Sequence, residues 1–70
     1  MISIGERIEQ LRDEFNLKQE LLAKKIGVSQ ETISSWSKGR TLPKADAIIK
    51  MTKLFKVSAD YLLGITNERC

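Results

Sequence analysis

From Ser3 to Asn16 the large apolar residues fall at Ile4, Ile8, Leu11 and Phe15. Steps of four, three and four put them on one side of a helix. Ser3-Ile4-Gly5-Glu6 opens that stripe as a capping box, in which serine and glutamate satisfy first-turn backbone amides reciprocally. Asn16 suits the left-handed position just past the helix end. A second stripe, Leu22, Ala23 and Ile26, predicts a helix over Gln19 to Ile26 that Gly27 ends. Val28 and Ile33 bracket Ser29 as the N′ and N4 partners of a hydrophobic staple around an N-cap. A third helix therefore starts directly after the Gly27-Val28 turn and closes at Gly39.

Arg40-Thr41-Leu42-Pro43 reads as a loop, with Pro43 near the start of a fourth helix. The expected buried stripe of that helix is Ala45, Ile48, Ile49, Thr52 and Phe55. Val57 and Leu62 repeat the staple around Ser58 and predict a short fifth helix through Leu63, stopped at Gly64. Nothing alternates with period 2. The expectation is one all-α, five-helix domain over residues 1–65, with residues 66–70 as a short flexible tail.

Seventy residues is near the size at which a core barely offsets chain entropy, so local helical structure or a partner chain would help. The one cysteine is Cys70 and there is no histidine, which rules out an internal disulfide and removes the commonest general base and metal ligand. No nucleophile and base can be paired, so the expectation is no enzyme, no metal and no cofactor. No apolar run approaches a membrane span and no signal-peptide pattern opens the chain; it reads as soluble and cytoplasmic. The net charge of +3 is uneven: −2 over residues 1–16, +6 over 17–56 and −1 beyond. A basic middle suits a polyanionic partner.

Winding Ser29 to Lys38 at about 100° per residue puts Ile33 and Trp36 on one side. Gln30, Glu31, Ser34, Ser35 and Lys38 gather into an arc of about 140° on the other. A solvated face usually carries long Lys and Glu in i,i+4 pairs. This arc holds mostly short hydrogen-bonding groups, with Arg40 just beyond. Gln can bond adenine N6 and N7 together, Glu can accept from cytosine N4, and Ser can donate or accept without filling a groove. Trp36, beside Ile33 and away from Gln30, belongs to the core rather than to a base-stacking surface.

Two helices joined by so tight a turn, the second with a polar face, have the form of a helix-turn-helix. Counted from Gln19, Ala23 is fifth, Gly27 ninth, Ile33 fifteenth and Trp36 eighteenth. Ala23 must be small where the third helix crosses, Gly27 permits the turn, and Ile33 with Trp36 pins the helix down. By these residues, and by Ile4-Gly5-Glu6-Arg7-Ile8, Pro43 and Val57-Ser58-Ala59-Asp60-Tyr61-Leu62-Leu63-Gly64, the chain resembles the Cro/repressor, or XRE-type, helix-turn-helix regulators of phages and bacteria. The resemblance implies a lambda-repressor-like five-helix domain that binds pseudo-palindromic operator DNA as a homodimer, its third helix in the major groove. Carried over by position, it assigns Gln30, Glu31, Ser34 and Ser35 to base edges, and Gln19, Ser29, Lys38, Arg40 and Lys44 to phosphates. The function implied is transcriptional regulation, as a repressor; the alternative is an antitoxin or protein-binding adaptor on the same fold, with a protein partner.

The chain departs from the family pattern in three places. Lys18 stands where Thr or Ser usually caps the second helix. Ser37 replaces the acid that commonly pairs with a first-helix arginine, leaving Arg12 to face either a phosphate or solvent. Lys56 stands where Gly or Asn often ends the fourth helix, so either it accepts a positive φ at a cost or the turn differs. Met51 is a core satellite or part of a two-fold interface, and Leu54, Tyr61, Leu62 and Ile65 are the candidates for the centre of that interface.

Overall fold

The computed structural model describes residues 2–69 of the chain. Cys70 lies outside them. Five helices follow one another: α1 (Ile4–Glu14), α2 (Gln19–Ile26), α3 (Gln30–Ser37), α4 (Ala45–Phe55) and α5 (Ala59–Leu63). No strand occurs among the described residues.

The helix starts follow the local chemistry. The Ser3 amide donates to Glu6 Oε1 at 3.1 Å and the Glu6 amide to Ser3 Oγ at 3.2 Å, completing the capping box. Ser29 and Ser58 accept from the amides of Thr32 and Tyr61 at 3.2 and 3.1 Å. Lys18 makes no side-chain cap at α2, as its chemistry requires. Between α2 and α3 the chain reverses at Gly27, with φ 85° and ψ 34°. The amides of Gly27 and Val28 both donate to the Ala23 carbonyl, at 2.8 and 3.0 Å. That left-handed step lets α3 leave almost at once and pack against α2, where Ala23 is buried.

Ile8, Leu11, Leu22, Ile33, Met51, Phe55 and Leu62 form the centre of the core, with Trp36 and Ala23 closing it on the α3 side. Phe15 departs from the expected first stripe. It caps α1 half in solvent and meets Phe55 edge-on, with ring centroids 5.2 Å apart. The stripe expected for α4 is also corrected. Ala47, Met51 and Phe55 face inward, Ala45 is exposed and Ile49 is 54% exposed. The buried face lies roughly a quarter turn from the expected one. Both stripes have helical spacing, and contact with α2 and α5 selects between them.

Met51 is therefore core. Tyr61 and Leu62 drop out of the candidates for a two-fold interface, because the chain buries them itself: Leu62 among the core residues, Tyr61 with the Arg7 guanidinium 3.8 Å from its ring centroid. Lys56 takes the left-handed conformation, φ 57° and ψ 46°, so of the two alternatives the positive φ holds, at a residue that pays about 1–2 kcal/mol for it. Residues 66–69 carry no helix and lie against α1 and α5. Arg7 Nη2 donates to the Thr66 carbonyl at 3.3 Å and to Asn67 Oδ1 at 3.2 Å, the Ser58 amide donates to the Arg69 carbonyl at 2.6 Å, and Arg69 pairs with Glu14.

Candidate nucleic-acid interface

The α3 helix presents the polar arc that its sequence anticipates. Gln30 and Glu31 are exposed, Ser34 and Ser35 half-buried, and Lys38 exposed at the C-cap. Ile33 and Trp36, buried to 0% and 4%, anchor the opposite side and so fix which way the arc faces. Not every hydroxyl in the region is equally free. Ser29 Oγ caps α3 and lies 2.9 Å from Thr32 Oγ1. Ser35 Oγ lies 2.8 Å from Thr41 Oγ1, and the Arg40 amide donates to the Ser35 carbonyl at 2.9 Å. The returning loop is thereby fastened along one edge of α3.

That loop carries the cations. Arg40 and Lys44 are exposed, and with Lys38 they make no ion pair among the described residues. Unpaired cations around a neutral hydrogen-bonding face give it a positive rim. Gln19 opens α2 half-buried, its amide close enough to Glu9 to help hold that carboxylate ionised. A groove of about 450 Å³ runs beside the arc, between the Gly27-Val28 turn, Thr32, Trp36, Leu42 and the start of α4. Lys50 at its far side donates from Nζ to the Ile26 carbonyl at 3.2 Å, tying α4 to the C-terminal end of α2.

Arg12, for which the sequence left a phosphate or solvent as alternatives, is half-buried and engaged within the protein itself. Its guanidinium donates to both Glu9 oxygens, at 2.6 and 3.1 Å, and to the Leu17 carbonyl at 2.9 Å. Ser37 Oγ donates to Glu9 Oε2 at 2.6 Å. The acid that pairs with Arg12 comes from the preceding turn of α1, and Ser37 reaches it from α3. The Arg12 hydrogen bonds are the main cause that holds the Glu9 carboxyl below its ordinary range, with the Ser37 hydroxyl adding to it. This cluster sets the C-terminal end of α3 against α1. Sequence reasoning missed it, since the only local sign was an i,i+3 Glu-Arg pair that most helices leave in solvent. It missed Arg7 as well, a residue only 4% exposed whose guanidinium bonds Gln10, Thr66 and Asn67 and stacks on Tyr61.

Comparison with known proteins agrees with this geometry. The helix-turn-helix family profile matches residues 8–62. Repressor protein C2 of Salmonella phage P22 is 37% identical over 60 residues, covering 86% of this chain and 28% of the phage protein. The HTH-type regulator YobD of Bacillus subtilis is 33% identical over 63 residues, covering 90% of this chain and 56% of its own. The chain thus spans about half the length of one of these relatives and under a third of the other. Among solved structures, the P22 c2 repressor in complex with synthetic operator 9T superposes with a TM-score of 0.84 at 35% identity, covering 90% of this chain and 96% of that one. The biofilm master regulator SinR in complex with DNA gives 0.77 at 33%, covering 86% and 97%. The turn at Gly27, the packing of Ile33 and Trp36 under a polar α3 face and these matches along most of the chain lead to one assignment: it belongs to the Cro/repressor, or XRE-type, helix-turn-helix family.

Proposed function

We propose that this chain binds double-stranded operator DNA sequence-specifically as a transcriptional repressor, with residues 1–65 as the binding unit and α3 lying in the major groove. The observation that carries the reading is the outward arc of Gln30, Glu31, Ser34 and Ser35 on a helix pinned by Ile33 and Trp36, rimmed by unpaired Lys38, Arg40 and Lys44. Gln30, at the N-terminal end of the arc, is the principal base reader. Gln19, Ser29, Lys38, Arg40 and Lys44 serve the phosphates that set register. About four groove-facing side chains, at roughly 1–3 kcal/mol of discrimination per good contact, are thin against a genome of competing sites. Two copies related by two-fold symmetry double the contacts, so the operator is a pseudo-palindrome read in successive major grooves. Of the interface residues considered, Ile65, 64% exposed, and the half-buried Leu54 remain available.

Selection from random duplex DNA at a stated salt concentration tests this reading and returns operator symmetry. Gln30→Ala is expected to cost about 1–3 kcal/mol on the selected site and to relax preference at one position per half-site. A loss spread equally over all sequences would refute the base-reading role, and one chain per intact operator in sedimentation would refute the dimer.

A further inference from the structure

Leu42 is the most exposed large apolar side chain among the described residues, at 73%, and its exposure is not slack in the loop. The residues on either side of it are held. Thr41 Oγ1 bonds Ser35 Oγ at 2.8 Å, and Pro43 is buried. Lys44 is set as the extended N-cap of α4, φ −74° and ψ 164°, its carbonyl accepting from the Ile48 amide at 3.0 Å. Pro43 is buried, while Arg40, Leu42 and Lys44 are exposed together with Thr41, so along this strip of chain an aliphatic group stands between two cations. The Ser35-Thr41 latch places this strip along one edge of the α3 arc, not on the arc itself.

A nucleic-acid strand bordering a groove has the complementary pattern. Anionic phosphates alternate with deoxyribose rings whose carbon faces are apolar. We infer that Leu42 covers a deoxyribose of the strand flanking the major groove, between the two phosphates that Arg40 and Lys44 neutralise. This rests on the DNA-binding reading above and adds a residue that contributes affinity without reading sequence. The flanking cations favour a sugar over a thymine methyl, which would require the aliphatic group to point from the arc into the groove. An apolar contact releases no counterion, so it carries a distinct signature: affinity without salt dependence.

The test uses the whole chain and the duplex that the wild type selects, titrated at several salt concentrations. Leu42→Ala is expected to weaken binding about three- to tenfold, the range for losing two or so partly buried carbon groups. The slope of log K against log salt and the base preferences should stay as in wild type. Leu42→Met, which keeps the apolar volume, is expected to restore binding to near wild type. Arg40→Ala and Lys44→Ala should instead flatten the slope by about 0.9 for each phosphate no longer neutralised. Because Leu42 is exposed, the melting temperature of the Leu42→Ala protein serves as a control and should not move. Unchanged affinity in Leu42→Ala, or a flattened slope, would overturn the inference while leaving the DNA-binding reading standing. So would a loss confined to one thymine and reproduced with wild-type protein on deoxyuridine-substituted DNA. If the wild type selects no duplex at all, the reading fails and the inference fails with it.

Discussion

Replacing Gly5 by alanine tests the seating of α3 on α1 most directly. By helix propensity alone the change is favourable, by up to about 1 kcal/mol in a helix interior. The tertiary structure reverses that sign. A Cβ on Gly5 would fall inside contact distance of the Trp36 carbonyl oxygen, 3.0 Å from the Ser37 carbonyl oxygen and 3.3 Å from its carbon. These are backbone atoms at the end of α3, and the Trp36 oxygen is itself held by the Gly39 amide at 3.1 Å. No side-chain rotation can relieve the overlap, so the helices must separate by on the order of 1 Å. A gap of that size forfeits a quarter to a half of each dispersion contact across it, and it opens between Ile8 and Leu11 on one side and Ile33 and Trp36 on the other. Overpacking costs about 1–3 kcal/mol, and with backbone on both sides the upper half of that range applies. After the propensity gain, Gly5→Ala is expected to destabilise by about 1–2 kcal/mol. Urea titration followed by far-UV circular dichroism should show a lower midpoint with an unchanged m-value, and melting should fall by roughly 4–8 °C per kcal/mol. A variant as stable as wild type would mean that α1 and α3 do not approach so closely, and the reasoning would be wrong.

Trp36→Ala removes a large buried ring and should cost about 3–5 kcal/mol, most of the stability of a 70-residue domain; a variant that stays folded in urea titration yet loses DNA affinity would point to base stacking instead. Lys56→Gly relieves a left-handed φ of 57° and is expected to raise stability by about 0.5–1 kcal/mol, read as a higher urea midpoint. Glu9 is held ionised by Arg12 and Ser37, so its contribution is present above its ordinary pKa of 4.5 and is lost as the pH falls through the lower folded value. Glu9→Gln should therefore lower stability at pH 7 and reduce the difference from wild type in acid; a constant difference across that window would show that the carboxylate charge is not what matters.

The helix boundaries were legible because they depend on bonds spanning three or four residues. Ser3, Ser29 and Ser58 cap, and Gly27 turns, through contacts that the sequence carries within itself. The polar arc of α3 was legible for a related reason. Once Ile33 and Trp36 are inward, helical periodicity leaves Gln30, Glu31 and Ser34 outward whatever α3 packs against. The face of α4 was not, because two stripes of equal spacing compete and only contact with α2 and α5 buries Met51 in place of Ile49. Nor was the environment of Tyr61, Arg12, Ser35 or Leu42. Tyr61 is covered by an arginine from α1, and Arg12 shares Glu9 with a serine 25 residues away in sequence. Ser35 is latched by the returning loop, and Leu42 is left outside by the buried proline beside it. These contacts bring together residues from different elements, so their partners are set by how helices cross. Short-range pattern encodes which residues a helix can turn inward; the crossing geometry decides which of them meet.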